Sequence, residues 1–509
     1  MRKLYLFLGV VVAVAAMLLL PASALARETV VTSFDGTPIV ANFFPADGLA
    51  DGAKAPTVLE GPGWSSPGED DPEAQGSDST GNPGVGTLRH AGYNVLTWDP
   101  RGFGDSGDMA RVDSKDYEGR DVQALLDYIA QQPEAQLDAA GDPRAGMAGV
   151  SYGGGIQNVT AAIDRRIDAI VPTIAWHSLI TSLYKSGDVK SGWGVALCGL
   201  GHVNGLADGL IGPAGTQTGS VDPHVTSACA SGTATGTVSQ EDKAWFESRG
   251  PGDELISRIH VPTLIVQGTV DTLFTLKEGM QNYEVLKRSG VPLKMMWFCG
   301  GHGACQTGSG TPGYVEQRTI AWLDRYVKGD TGADTGPAFE WIADDGRWRS
   351  ASAFPLSLIG SLNGSGSGTL PLTPAGQSGA LILATPVAAD ALNVPIQAAA
   401  KETDLLGEPQ LKLTYSGSGT PQDGFVYAQL VDEQRNIVVG NQVTPVPIRL
   451  DGAKHTIELP IEAIAAHASK GDRYRLQLVP STTVYYPQKI AGQLDVQQAK
   501  ITLPVVSTR

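Results

Sequence analysis

The chain of 509 residues has few of the groups that stabilise a protein by special means: four cysteines, 7% aromatic residues and 18% charged residues. Four cysteines are too few for a disulfide-built scaffold, and a chain this long does not need one. Basic residues are the scarcer charge: 37 Lys and Arg stand against 53 Asp and Glu, for a formal net charge of −16. So acidic a surface argues against nucleic acid or an anionic membrane as a partner, and no basic cluster reverses the sign locally. Beyond residue 20 there is no run of 18 apolar residues, which argues against a later membrane span. Internal repeats are absent.

Residues 1–26 have the pattern of an export signal. Arg2 and Lys3 precede an apolar stretch from Leu4 to Leu20, and Ala22, Ala24 and Ala26 offer small-residue cleavage sites. No cysteine sits there for lipid attachment and no Arg-Arg pair is present, so the expected outcome is general secretion of a cleaved chain. In an oxidising compartment four cysteines imply bridges, and nearest-neighbour pairing gives Cys198–Cys229 and Cys299–Cys305. A zinc site competes on spacing, since CGLGH (198–202) and CGGHGAC (299–305) mix Cys and His. The expectation is no metal and no cofactor, because His302 has a better use.

From 29 to about 330, short apolar runs that stop at turn signals alternate with amphipathic helical stretches. That rhythm predicts a mostly parallel sheet covered by helices on both faces, an α/β domain. Residues 178 to about 255 interrupt it and are expected to form a cap over the strand ends. The stretch LIGSLNGSGSGTLPLTPAGQSG (358–379) reads as flexible and turn-rich. Period-two runs such as QLKLTYSGSG, GFVYAQLVDEQ and RYRLQLVPS then predict an all-β sandwich or jelly roll, placed at 337–509.

The chemistry gathers at strand ends, where parallel sheets present their functional groups. In GMAGVSYGGG, Ser151 ends an apolar run and precedes the helical pattern GGIQNVTAAI, the strand–turn–helix setting of a nucleophile elbow. With 63 glycines in the chain, that motif alone is weak. Asp271 ends VPTLIVQGTV and His302 follows LKMMWFCGG, which completes the order Ser, Asp, His. A serine hydroxyl needs a neutral imidazole to take its proton, and the imidazole needs a carboxylate to hold its tautomer. Singly, Asp271 reads as a helix N-cap, His302 as one of eight histidines and Ser151 as a turn; together they fit a triad better. The oxyanion donors expected are the Tyr152 N–H and, from the loop GPGWSSPG, the Trp64 N–H. His177 is a reserve base at the end of IVPTIAW, and Asp99, Arg101 and Asp105 are expected to brace the site from a turn. A Cys299–Cys305 bridge would pin the loop that carries His302.

At DPRGFGDSG (99–107), GVSYGGGIQ (149–157), VQGTVDTLF (266–274), GGHG (300–303), and DGRW followed by GSGSGTLPL, the chain resembles the X-Pro dipeptidyl-peptidase and cocaine esterase family of serine hydrolases. The likeness spans about 29–509 and implies an α/β-hydrolase domain with a cap, followed by a C-terminal jelly roll. Ser151, Asp271 and His302 take the family's triad positions, with Tyr152 giving one oxyanion N–H. The family often draws its second donor from a tyrosine after the third strand. GPGWSSPGEDD has no tyrosine, so a Trp64 backbone or indole N–H stands in its place.

The reaction expected is acyl transfer to water through a serine ester on a small peptide or ester substrate. X-Pro dipeptide release comes first among the expectations, and ester hydrolysis or acylase activity second. Glu60, Glu69, Asp70 and Asp71 are candidates to hold a substrate amine, though a solvated acidic loop is the plainer reading. A non-catalytic binding protein on a hydrolase fold is the reading of another class. Nothing in the sequence speaks to oligomeric state.

Overall fold

The computed structural model describes residues 26–207, 221–373 and 378–507. The expected leader lies outside them except for its last residue. Ten strands form one sheet, in the order Arg27–Thr32, Pro38–Phe44, Asn94–Trp98, Thr57–Gly61, Ala145–Val150, Ile167–Thr173, Thr263–Gly268, Leu293–Phe298, Phe339–Ile342, Trp348–Ala351. The six neighbour pairs from Asn94–Trp98 through Phe339–Ile342 are parallel, and the pairs at both edges are antiparallel. The central strands are buried on both faces, which is why they read as unbroken apolar runs. Helices Glu118–Ile129, Tyr152–Ile163, Leu276–Ser289 and Tyr314–Tyr326 fall where the amphipathic patterns predicted them.

Between the strands Ile167–Thr173 and Thr263–Gly268 the chain leaves the sheet. It forms helices Leu179–Leu183, Ser191–Ala207, Pro223–Thr235 and Gln240–Glu247. Asp222 and Ser239 cap two of them by accepting backbone N–H bonds from His224 and Asp242. Cys198 bridges to Cys229 and so ties the second of these helices to the third. The other bridge joins Cys299 to Cys305. Among the described residues no helix is long and apolar enough to cross a membrane.

The C-terminal part is a second ten-stranded sheet in which every pairing is antiparallel. Two expectations change here. The all-β part does not begin at 337: the strands Phe339–Ile342 and Trp348–Ala351 extend the first sheet beside Leu293–Phe298. Phe339 and Trp341 are fully buried there, so FEWI is a further apolar strand of the α/β layer. The GSGSG segment is also not a flexible connector. It lies in the strand Leu358–Leu372, paired along its length with Ala491–Val506. Its glycines leave room for a crossing strand, since a Cβ at Gly364 would stand 2.7 Å from the Pro395 carbonyl.

The two sheets share apolar cores. Leu406, Ala465 and Val506 join the α/β core, while Tyr427, Val479 and Tyr485 pack with Tyr152, Trp176, Trp193 and Phe274 below the cap. The all-β part therefore helps to build the ground on which the site stands.

Candidate active site

The strand Ala145–Val150 turns into the helix Tyr152–Ile163 within one residue, and that residue is Ser151. Its backbone is at φ 56°, ψ −113°, a conformation an L-residue holds only when its surroundings impose it. The constraint is visible at Gly153, where a Cβ would fall 2.0 Å from the Gly61 carbonyl oxygen. The helix can start against the end of the Thr57–Gly61 strand only because that position has no side chain. This places the Ser151 Oγ at the helix N-terminus, at the carboxyl edge of the sheet.

Asp271 and His302 arrive from the ends of Thr263–Gly268 and Leu293–Phe298, the two strands beyond the neighbouring Ile167–Thr173. The His302 Nε2 lies 2.8 Å from the Ser151 Oγ, and its Nδ1 lies 2.7 Å from the Asp271 Oδ2. Asp271 is wholly buried, and its carboxylate also accepts N–H bonds from Leu273, Phe274 and His302. Four donors converge on one carboxylate, which fixes its orientation and offsets its desolvation. The Leu273 and Phe274 amides use the oxygen that the imidazole does not, so Asp271 closes the turn ahead of the helix Leu276–Ser289, whose N-cap is Thr275 and not Asp271 as the sequence suggested. Trp193 and Phe274 set their rings edge-on to the His302 imidazole, with centroids at 5.8 and 5.3 Å.

Of the expected oxyanion donors, the Tyr152 N–H is the first amide of its helix and has no intrahelical acceptor. The Trp64 indole is committed elsewhere: its Nε1–H donates to the Leu197 carbonyl at 2.9 Å. That leaves the Trp64 backbone N–H, which has no protein acceptor among the described residues. The Tyr152 ring packs against Trp64 and Trp176, and its hydroxyl donates to Glu118.

The remaining expected residues divide. His177 is not placed as a base for Ser151: its Nδ1 bonds to Asn282 and its backbone N–H donates to Glu278. Asp99 and Arg101 hold the turn together. Asp99 accepts the Gly68 and Asp105 amides, and the buried Arg101 pairs with Asp121, Asp108 and Asp35. Asp105 contributes only its backbone, and its side chain is exposed. Desolvation pushes the Asp99 carboxyl up to about 6 even with two amides bound. The zinc alternative fails on its ligands, since all four cysteines are joined in pairs and His302 serves Ser151 and Asp271.

A cavity opens beside Ser151 under the cap helices. Its walls include Leu179, Leu183, Val225, Phe246 and the Cys198–Cys229 bridge, with Lys190 and Lys243 as the charged lining side chains among the described residues. None of the candidate amine-binding carboxylates lines it. Glu69, Asp70 and Asp71 are exposed on their loop, and Glu60 is buried, accepting a bond from Asn82. Sequence reasoning missed Lys190, Lys243 and Gln442, whose Nε2–H donates to the Asp271 carbonyl at 2.8 Å from 171 residues away. No local pattern marks a glutamine in a distant β-strand region as a neighbour of Asp271.

Comparison with known proteins places this arrangement in a family. The sequence profile described as X-Pro dipeptidyl-peptidase (S15 family) matches residues 35–304. Among solved structures, an alpha-amino acid ester hydrolase superposes with a TM-score of 0.69 at 14% identity, over 96% of this chain and 98% of that one. An aminopeptidase from a marine sediment Thaumarchaeota archaeon gives 0.67 at 14%, over 96% and 98%. A CocE/NonD family hydrolase from Staphylococcus aureus gives 0.65 at 15%, over 94% and 93%. No curated protein matches the sequence. The profile spans more than half of the chain, and the protein accordingly belongs to the X-Pro dipeptidyl-peptidase (S15) family and is a hydrolase of the α/β fold.

Proposed function

We propose that the protein hydrolyses an ester or amide bond through a covalent acyl intermediate on Ser151. The observation that carries this reading is the unbroken relay from the Ser151 Oγ to the His302 Nε2, and from the His302 Nδ1 to Asp271, at 2.8 and 2.7 Å. Both distances are within hydrogen-bond reach before any substrate arrives. As Ser151 attacks the substrate carbonyl, its proton passes to the His302 Nε2, and Asp271 stabilises the imidazolium that forms. The carbonyl oxygen, now an anion, meets the Tyr152 and Trp64 backbone N–H groups; losing one such donor typically costs about 3 kcal/mol of barrier. His302 then gives the proton to the departing alcohol or amine. Water repeats the sequence to free Ser151 and release the acid.

On the acyl side the reading favours apolar acyl groups over X-Pro dipeptides. Release of a dipeptide calls for a carboxylate to hold the substrate's free ammonium, and the lining residues supply lysines instead. The bridge pairing and the leader pattern support action outside the cytoplasm. A fluorophosphonate probe should label wild-type protein at Ser151 and leave Ser151→Ala unlabelled. p-Nitrophenyl butyrate should be turned over with higher kcat/KM than Ala-Pro p-nitroanilide. An unlabelled wild-type protein would remove the hydrolytic reading and favour a binding role on the same fold.

A further inference from the structure

We infer that the cavity beside Ser151 selects acyl chains bearing a carboxylate at the end remote from the scissile bond, with Lys243 as the specificity-determining residue. This rests on the reading of Ser151 as the acyl-accepting nucleophile and adds a substrate class to it.

The first observation is the sign of the charge. In a chain of formal net charge −16, the charged lining of this cavity among the described residues is two lysines and no carboxylate. The two lysines are used differently. Lys190 is fully buried, and its ammonium donates to the Thr272 and Leu273 carbonyls at 2.8 and 3.0 Å. It is spent on holding the loop that follows Asp271. The Lys243 ammonium has no hydrogen bond or ion pair among the described residues; its Nζ sits over the Tyr184 ring, 4.2 Å from the centroid.

The placement of Lys243 is otherwise unfavourable. It lies near the start of the helix Gln240–Glu247, where the helix dipole disfavours a cation. Its neighbour Asp242 does not neutralise it, because that carboxylate is taken by His224, Ser227 and Ser239. An ammonium half-withdrawn from water among apolar side chains gains from an anion that arrives with the substrate. A chain of several methylenes between the reacting carbonyl and a terminal carboxylate matches this lining, apolar along its walls and cationic at Lys243. A free α-ammonium would meet like charge.

The test compares p-nitrophenyl hemiesters of succinic, glutaric and adipic acids with p-nitrophenyl butyrate on the full chain at low ionic strength. Wild-type protein should prefer at least one hemiester, through KM rather than kcat, and added salt should reduce the preference. Lys243→Met should cut the hemiester-to-butyrate ratio of kcat/KM about tenfold, the lower end of what a charged hydrogen bond contributes. Lys243→Glu should reverse the preference towards a 4-aminobutyryl ester. If wild-type protein is labelled at Ser151 but shows no hemiester preference, or if Lys243→Met leaves the ratio unchanged, the inference fails while the hydrolytic reading stands. If Ser151 is not labelled, both fail.

Discussion

Ser151 stands between a side built from hydrogen bonds and a side built from apolar packing, and the two are secured in different ways. Towards Asp271 and His302 the groups come from strand ends of a buried parallel sheet, and four donors hold one carboxylate. Cys299 and Cys305, only six positions apart in sequence, close a short loop around His302. On the cap side the described residues form only a two-stranded ribbon, Tyr184–Lys185 with Asp188–Val189, and helices enclose the cavity with Cys198–Cys229 tying two of them across 31 residues. Chemistry demands fixed distances, and strand ends supply them. Recognition tolerates exchange of wall residues, and an insertion supplies that without disturbing the sheet.

The sharpest break of the comparison is on the hydrogen-bonded side. Ser151→Ala should abolish covalent labelling, and Asp271→Asn should lower kcat about 10⁴-fold by presenting the wrong tautomer of His302. Thermal unfolding should show both variants folded, and an Asp271→Asn variant keeping a tenth of wild-type kcat would contradict the relay. On the cap side the largest effect expected is on stability. Replacing Cys198 and Cys229 together by serine removes a long loop closure, worth up to about 4 kcal/mol on the chain-entropy estimate. Discrimination between butyryl and longer acyl esters should loosen, while turnover of p-nitrophenyl acetate, which barely enters the cavity, should stay within about twofold. Loss of acetate turnover equal to that of the longer esters would mean that the cap also positions the triad.

The same division explains what the sequence revealed. Ser151, Asp271 and His302 were legible because each ends an apolar run at a turn, so local pattern and topology point to one edge of the sheet. The helices of the sheet layer were legible for the same reason. GSGSG misled because glycine and serine usually signal flexibility; here they signal close approach of the strand Leu392–Pro395, which only a neighbour in space explains. FEWI was hidden by the turn-rich residues before it. Lys243 left no trace, since a lysine in a helical segment reads as a solvated face until the cavity it lines is known, and Lys190 stood unmarked in the stretch between the strand Asp188–Val189 and the helix Ser191–Ala207.

A smaller effect tests whether the all-β part supports the relay or only accompanies it. Gln442→Leu removes the donor to the Asp271 carbonyl and leaves a buried acceptor unpaired, at a cost of about 1–3 kcal/mol. A drop in kcat with KM unchanged would assign Gln442 a positioning role, and restoration by Gln442→Asn would not be expected, because the shorter chain falls short of the carbonyl. An unchanged kcat alongside a lowered Tm would reduce it to a fold contact.

The smallest effect concerns a buried acid on the strand Thr57–Gly61, paired with the strand that leads to Ser151. Glu60 ends in a fully buried carboxyl that accepts the Asn82 amide at 2.8 Å, and burial pushes it up to about 7, with Glu69 adding to the rise. In the unfolded chain the same group titrates near 4. Between those values the folded state holds more protons than the unfolded one, so this group makes stability fall as pH rises from about 4 to about 7, with no further change above. Glu60→Gln keeps the acceptor for Asn82 and removes the titration. The Tm of the variant minus that of wild type should therefore grow between pH 4.5 and pH 7.5, because wild type alone must ionise a buried carboxyl over that range. An equal difference at both pH values would mean that Glu60 is already solvated in the folded protein, and the sheet edge beside Ser151 would then be wetter than its packing implies.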